Sequence, residues 1–189
     1  MHGFKKTNRM FKKYSSLIFI VVAVGIIVGQ YIYKMPKFVN GETALEFSTT
    51  LKDQSAFKLS DLKGKFVLIE FWGSWCGPCR AQSKHLVVLN NKFGDAKFEK
   101  AEGFEIVSIG VETNDKRWER AIVKDGLTWP YHILDKATSL RFFDSPIANL
   151  YGVKELPTNY LVNEDGIIMG VNLPFEEIDK LLTNRLVQN

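Results

Sequence analysis

Cys76 and Cys79 stand three residues apart in Trp75-Cys76-Gly77-Pro78-Cys79-Arg80, and they are the two cysteines of a 189-residue chain. A sulfur pair at this spacing can close and reopen a small disulfide, exchanging bonds with a disulfide of another molecule. That chemistry needs the thiolate, so negative charge must be stabilised at the first sulfur. The N-terminus of a helix does this with its unsatisfied N–H groups and the positive end of its dipole. Pro78 belongs in a first helical turn, where a missing N–H costs nothing and the fixed φ suits the helix. Cys76 is therefore expected to begin the helix and attack, with Cys79 one turn along, more shielded, resolving the intermediate. A permanent disulfide across so short a loop would add little stability through chain entropy. Zinc needs four ligands, and neither the three histidines nor the acids show ligand spacing to the pair, so no metal site is expected. Two thiolates do suit Cu(I), and a non-catalytic copper-binding or chaperone module is the alternative function.

The elements that must hold these sulfurs can be read around them. Lys65-Phe66-Val67-Leu68-Ile69-Glu70-Phe71-Trp72 is an apolar run broken by one acid, the pattern of a central strand buried on both faces. After Gly77-Pro78, the apolar positions Leu86, Leu89 and Phe93 recur at helical spacing, so the cysteines lie at a strand-to-helix junction. Leu45 to Leu51 reads as a first strand and Phe104 to Val111 as a second buried one. Asn114 to Asp125 reads as a helix capped by Asn and ended by Gly126. Trp129 to Tyr151 is less regular. Thr158 to Val162 and Ile167 to Val171 flank the turn Asn163-Glu164-Asp165-Gly166 as a hairpin. A last helix follows Pro174, with Glu176 and Glu177 in its first turn. The order implies an α/β fold, a mixed central sheet flanked by helices.

Charge is divided unevenly along the chain. Residues 1–40 hold seven of the 25 Lys and Arg and no acid, so the remaining 18 basic residues face 21 acidic ones. The basic character thus belongs to the tail, and no nucleic-acid partner is implied for the domain. Residues 14–33 carry no charge and are almost wholly aliphatic from Leu17 to Val28, which predicts one transmembrane helix. Five basic residues precede it, Lys5, Lys6, Arg9, Lys12 and Lys13, and Lys34 and Lys37 follow. The bias predicts a single-pass anchor in the cell membrane, the N-terminus cytoplasmic and the remainder extracytoplasmic, on the periplasmic side. A cleaved signal peptide with Ala23-Val24-Gly25 at its cleavage site is the competing reading. The resulting organisation is a basic tail over 1–13, an anchor over 14–33, a linker over 34–44 and a catalytic domain over 45–187.

Phe71-Trp72-Gly73-Ser74-Trp75-Cys76-Gly77-Pro78-Cys79, followed downstream by Leu156-Pro157-Thr158 and Asn163-Glu164-Asp165-Gly166, resembles the membrane-anchored thioredoxin-like proteins of the TlpA/ResA family. The likeness extends over about residues 38–187. It implies a thioredoxin-like fold and a thiol:disulfide oxidoreductase that needs no cofactor. Cys76 would be the nucleophile, Cys79 the resolving cysteine, and Pro157 a cis-proline facing them. Leu156 would then offer its backbone to an extended substrate, beside Gly77, Pro78 and an exposed Trp75 platform. Glu70 falls where thioredoxins keep a buried acid. Burial in a central strand would raise its pKa and let it take the Cys79 proton, the competing role being a partnered structural carboxylate, a lysine being one such partner. Trp72 is expected in the core, Trp118 and Trp129 in core or surface packing, His85 as a solvated or capping residue and His132 as structural.

The resemblance also implies partners: disulfide-containing secreted proteins or apocytochrome c as substrates, and a membrane carrier of thiol electrons as reductant. Gly-Pro between the cysteines is the dipeptide of reducing thioredoxins. Departures are present as well. Gln82 and Lys84 stand where the family often has an acid and a kinking proline, so a straighter helix is expected. Gly73, Ser74 and Trp75 replace the Pro and Thr that precede the cysteine in peroxide-reducing relatives.

Overall fold

The computed structural model describes residues 4–34, 37–140 and 143–188, with side chains of the first helix given at Ser15 and from Leu17 to Tyr33. The chain divides into two compact units, Met1–Met35 and Pro36–Asn189. The first is α1 (Phe4–Lys34), and its aliphatic side chains from Leu17 to Val28 are largely exposed. No helix among the described residues is long and apolar enough to cross a membrane. The expected span over 14–33 is thus not reached by these residues. Tyr14 and Ser16 lie outside the described side chains, and the run that begins at Leu17 is interrupted by Gly25, Gly29 and Gln30. Lys5, Lys6, Arg9, Lys12 and Lys13 lie within α1 but their side chains are outside what is described, as are Met35 and Pro36 altogether.

In the second unit, β1 (Ser48–Thr50) and β2 (Ala56–Lys58) form a small antiparallel pair, and β3 (Phe66–Trp72) then enters the main sheet. Next come α2 (Gly77–Phe93), β4 (Phe104–Glu112), α3 (Asp115–Lys124) and β5 (Tyr131–Lys136). The chain ends with α4 (Pro146–Tyr151), β6 (Thr158–Val162), β7 (Ile168–Val171) and α5 (Phe175–Thr183). The five-stranded sheet runs β5-β4-β3-β6-β7. β3, β4 and β5 are parallel, whereas β6 is antiparallel to β3 and to β7, so the sheet is mixed as expected.

β3 is the middle strand, and its alternation sorts the core into two layers. Val67, Ile69 and Phe71 face Phe47, Tyr151 and Tyr160 on one side. Phe66, Leu68 and Trp72 face the other, with Leu86, Leu89 and Phe93 of α2, Trp118 of α3 and Ile178 and Leu182 of α5. Every residue of β3 is buried, as a central strand requires. α2 runs unbroken for 17 residues, consistent with Lys84 in place of a kinking proline.

Two expectations are corrected. The first strand covers three residues rather than Leu45 to Leu51 and lies outside the main sheet. The less regular region of Trp129 to Tyr151 holds a sheet strand, β5, and the short helix α4. Both depend on one buried carboxylate: Asp135 of β5 accepts from Ser145 Oγ at 2.6 Å, Ala148 N at 2.8 Å and Ile147 N at 3.1 Å. It caps α4 from ten or more residues upstream, and the local signals, Ser145-Pro146 before and Gly152 after, bracket a helix of only six residues. Tyr151, at its end, ties this layer to the N-terminal segment by donating to Leu45 O at 2.7 Å.

Removing that cap strands several buried N–H and O–H donors. Asp135→Ala is expected to cost about 2–3 kcal/mol of stability, and Asp135→Asn less. Urea denaturation, read as a fall in midpoint at constant slope, checks this.

Candidate active site

The reactive pair forms where β3 ends and α2 begins. Cys76 occupies the helix N-cap with extended backbone, Pro78 lies in the first turn, and Cys79 donates its backbone N–H to Cys76 Sγ at 3.2 Å. Arg80 N–H donates to Cys76 O at 3.1 Å, closing the first turn. The sulfurs are joined, with the Cα atoms 5.3 Å apart. Once the bond is reduced, the same N–H groups and helix dipole are in place to stabilise a thiolate on Cys76. Cys76 retains 6% exposure and Cys79 none, the asymmetry expected of an attacking and a resolving sulfur. Gly77 and Pro78 are exposed beside them.

Leu156–Pro157 is a cis peptide bond. Thr158 pairs with Phe71 across β6 and β3, which sets Leu156 and Pro157 alongside the loop that leads to Cys76. Both are half-buried, and Leu156 packs on the cluster that contains the two cysteines. Cys76, Cys79, Gly77, Pro78, Leu156 and Pro157 are therefore gathered at one end of the sheet.

Trp75 is corrected from an exposed platform to a half-buried, pinned one. Its indole N–H donates to Val111 O at 2.9 Å, and its ring stacks on Phe143 with centroids 6.2 Å apart. Gly73 permits this pose, since a Cβ there would come 2.6 Å from the indole nitrogen. A second tie holds the same loop: Ser74 N–H donates to the Glu112 carboxylate at the end of β4. Burial pushes the Glu112 carboxyl up, against the Ser74 N–H that favours its charged form. One turn into α2, Arg80 grips Asp125 with two N–H groups and fastens the helix start to the end of α3. Val111, Glu112, Asp125 and Phe143 were not anticipated from sequence, because their roles depend on which segments the sheet brings beside the loop.

Glu70 is on the α2 side of β3, between Leu68 and Trp72, and is 3% exposed. Its partner is neutral: Ser108 Oγ donates to Glu70 Oε2 at 3.3 Å. Among the described residues no lysine pairs with it, so the carboxyl is partnered by a hydroxyl and not by a cation. Burial raises its pKa to about 8, the Ser108 hydroxyl offsetting only part of that rise. The other tryptophans and histidines take packing positions. Trp72, Trp118 and Trp129 are buried, His85 stacks on Phe175, and His132 is buried beside Leu127 O with its pKa lowered by burial to about 4.

Comparison with known proteins agrees with this geometry. The Redoxin family model matches residues 34–183. The thiol-disulfide oxidoreductase ResA of Bacillus anthracis is 30% identical over 165 residues, covering 87% of each chain. The ResA protein of Bacillus subtilis is 28% identical over 168 residues, covering 88% of this chain and 86% of its own. Among solved structures, a thiol-disulfide oxidoreductase from Bacteroides fragilis superposes with a TM-score of 0.64 at 27% identity, covering 76% of this chain and 98% of that one. The thioredoxin domain of a Bacteroides vulgatus oxidoreductase shares the fold, with a TM-score of 0.63 at 23% identity over 77% of this chain and 99% of that one. With a capped, half-shielded sulfur pair on a thioredoxin-like sheet, the chain belongs to the redoxin family and is a thiol:disulfide oxidoreductase of the TlpA/ResA type.

Proposed function

We propose that the domain reduces disulfides of exported proteins while held at a membrane by its N-terminal segment. The observation that carries the exchange chemistry is the Cys76–Cys79 disulfide at the N-terminus of α2, with Cys76 the more reachable sulfur. In the reduced enzyme the Cys76 thiolate attacks one sulfur of a substrate disulfide, and the other leaves as a thiolate. Glu70 takes the proton of Cys79, whose thiolate then attacks Cys76 in the mixed disulfide. The second substrate sulfur leaves with the electron pair, and the enzyme ends with Cys76 joined to Cys79. Two electrons have passed to the substrate. An acid with a pKa near the working pH suits both halves of that proton transfer.

Gly77 and Pro78, exposed between the sulfurs, and the half-buried Leu156-Pro157 segment form the surface offered to an extended substrate. Apocytochrome c or other secreted proteins with disulfides are the substrate class, and a membrane carrier of thiol electrons is the reductant. The basic tail and the exposed aliphatic face of Leu17 to Val28 support a membrane tether over 14–33. On this reading the excess of basic residues before the tether favours a cytoplasmic N-terminus and a catalytic domain outside the cytoplasm. The two sulfurs bonded to one another favour exchange over Cu(I) holding.

Cys76→Ser is expected to abolish insulin-disulfide reduction in the presence of chelator, and Cys79→Ser to accumulate substrate as a mixed disulfide on gels run without reductant. The reducing direction requires a potential near the roughly −270 mV of thioredoxins; a value near −120 mV would reverse it.

Glu70→Gln should slow mixed-disulfide resolution, measured by stopped flow, roughly 10²-fold or more while the fold is kept. Its effect on stability has a definite sign. Native Glu70 keeps its proton to about pH 8, whereas the unfolded chain releases it near 4.5, so wild-type stability falls by up to about 1.4 kcal/mol per pH unit between those values. His132 works oppositely below its ordinary value of 6.5, down to about 4, because only the unfolded chain takes up its proton there. The two slopes offset between about pH 4.5 and 6.5, and from 6.5 to 8 that of Glu70 remains. Urea titrations should show Glu70→Gln gaining on wild type steadily across the whole range of about 4.5 to 8.

A further inference from the structure

Glu70 pairs in register with Ser108 of β4 on one side and Asn159 of β6 on the other. Ser108 is fully buried, and its hydroxyl has two partners among the described residues: it donates to Glu70 Oε2 at 3.3 Å and accepts from Trp129 Nε1 at 3.0 Å. An indole N–H donates only. Trp129 therefore takes one lone pair of the Ser108 oxygen, and among the described residues the serine hydrogen has the carboxyl as its acceptor. Were Glu70 to turn its own proton toward Ser108, that hydrogen would be left unpaired in a buried layer, at the cost such groups carry. The neutral acid thus holds its proton on Oε1, away from Ser108.

The surroundings leave this one hydroxyl to act on the acid. From β6, Asn159 is neutral and its amide is engaged with the backbone of Leu173 on both sides. α2 packs on the same face of the sheet, and of its buried residues Cys79, Ser83, Leu86, Leu89 and Phe93 the one that titrates is Cys79 once reduced. His132 stacks on Trp129 with ring centroids 5.4 Å apart and is uncharged above about pH 4. Glu112 stands at the far end of β4 against Ser74, α3 presents Trp118, Ala121 and Ile122, and Arg80 is matched by Asp125. No cation acts on Glu70 among the described residues.

We propose that Ser108, locked by Trp129, is the positioning residue of the Glu70 relay: it holds Oε2, reserves Oε1 for the proton taken from Cys79, and sets the pH at which that transfer occurs. The proposal rests on the relay reading of Glu70 above. A hydroxyl donating to the carboxylate favours its charged form, so losing it must raise the proton affinity of the acid.

The test is an infrared pH titration of the Glu70 carboxyl band, assigned by its loss in Glu70→Gln, on reduced full-length protein, with stopped-flow resolution rates over the same pH range. In Ser108→Ala the band should titrate higher by roughly one unit, a tenfold rise in proton affinity. The apparent pKa of resolution should rise with it, and Ser108→Thr should restore both. Trp129→Phe, which keeps the hydroxyl but frees its rotation, should shift the titration the same way by less. It also serves if Ser108→Ala does not fold. An unmoved titration in Ser108→Ala or Trp129→Phe, with resolution still slowed in Glu70→Gln, would overturn the role of Ser108 alone. Unslowed resolution in Glu70→Gln would overturn the relay and this proposal with it.

Discussion

The arrangement turns on a sulfur seated at the positive end of a helix that lies over an apolar sheet face. Cys76 has the first-turn N–H groups of α2 beneath it, and Cys79 has none of its surface in water. An exchange reaction needs one thiol that ionises easily and one that ionises on demand. Helix geometry supplies the first, since the cap position and dipole act on Cys76 and fade within a turn. Burial shuts the second away from water, and the relay proposed above therefore looks for its proton acceptor inside the protein.

Glu70 is buried as well. A carboxyl in a strand buried on both faces resists ionisation, and a lysine beside it would cancel that resistance by pairing. β4 presents a serine at the facing position instead. One neutral hydrogen bond is weaker than the penalty of burial, which leaves the acid with a pKa of about 8. The polar chain from Trp129 through Ser108 to Glu70 is satisfied at each link, as a buried network must be if it is not to destabilise the sheet.

The loop before Cys76 is held by ties that cross the sheet rather than follow the chain. Trp75 reaches the carbonyl of Val111 and Ser74 reaches Glu112, both at the end of the neighbouring parallel strand. Arg80 and Asp125 fasten the helix start from its other side. On the opposite layer, Asp135 caps α4, the element that precedes Leu156-Pro157. Catalytic precision here comes from polar groups drawn from several elements onto a few residues around the sulfur pair.

Much of the fold was legible because its signals are local. Apolar continuity marked β3 and β4, helical spacing with Pro78 marked α2, and the Asn163 to Gly166 turn marked the hairpin, where Gly166 adopts a φ of 82°. The sulfur pair, its place at a helix start and the greater burial of Cys79 followed from residue types and spacing alone. What the chain order could not carry were contacts between distant segments. β5 was obscured by His132 and Asp135, polar residues that become tolerable once they are buried against Leu127 and Ser145. α4 has six residues, too few for a periodic pattern, and a cap from another element. Trp75 was free to read as exposed until Val111 and Phe143 were brought against it. Likewise the partner of Glu70 lies 38 residues away and that partner's own donor a further 21, so sheet register alone decided that the acid meets a hydroxyl and not a cation. Covalent chemistry is written in side-chain type and spacing; the proton's path depends on which strands lie side by side.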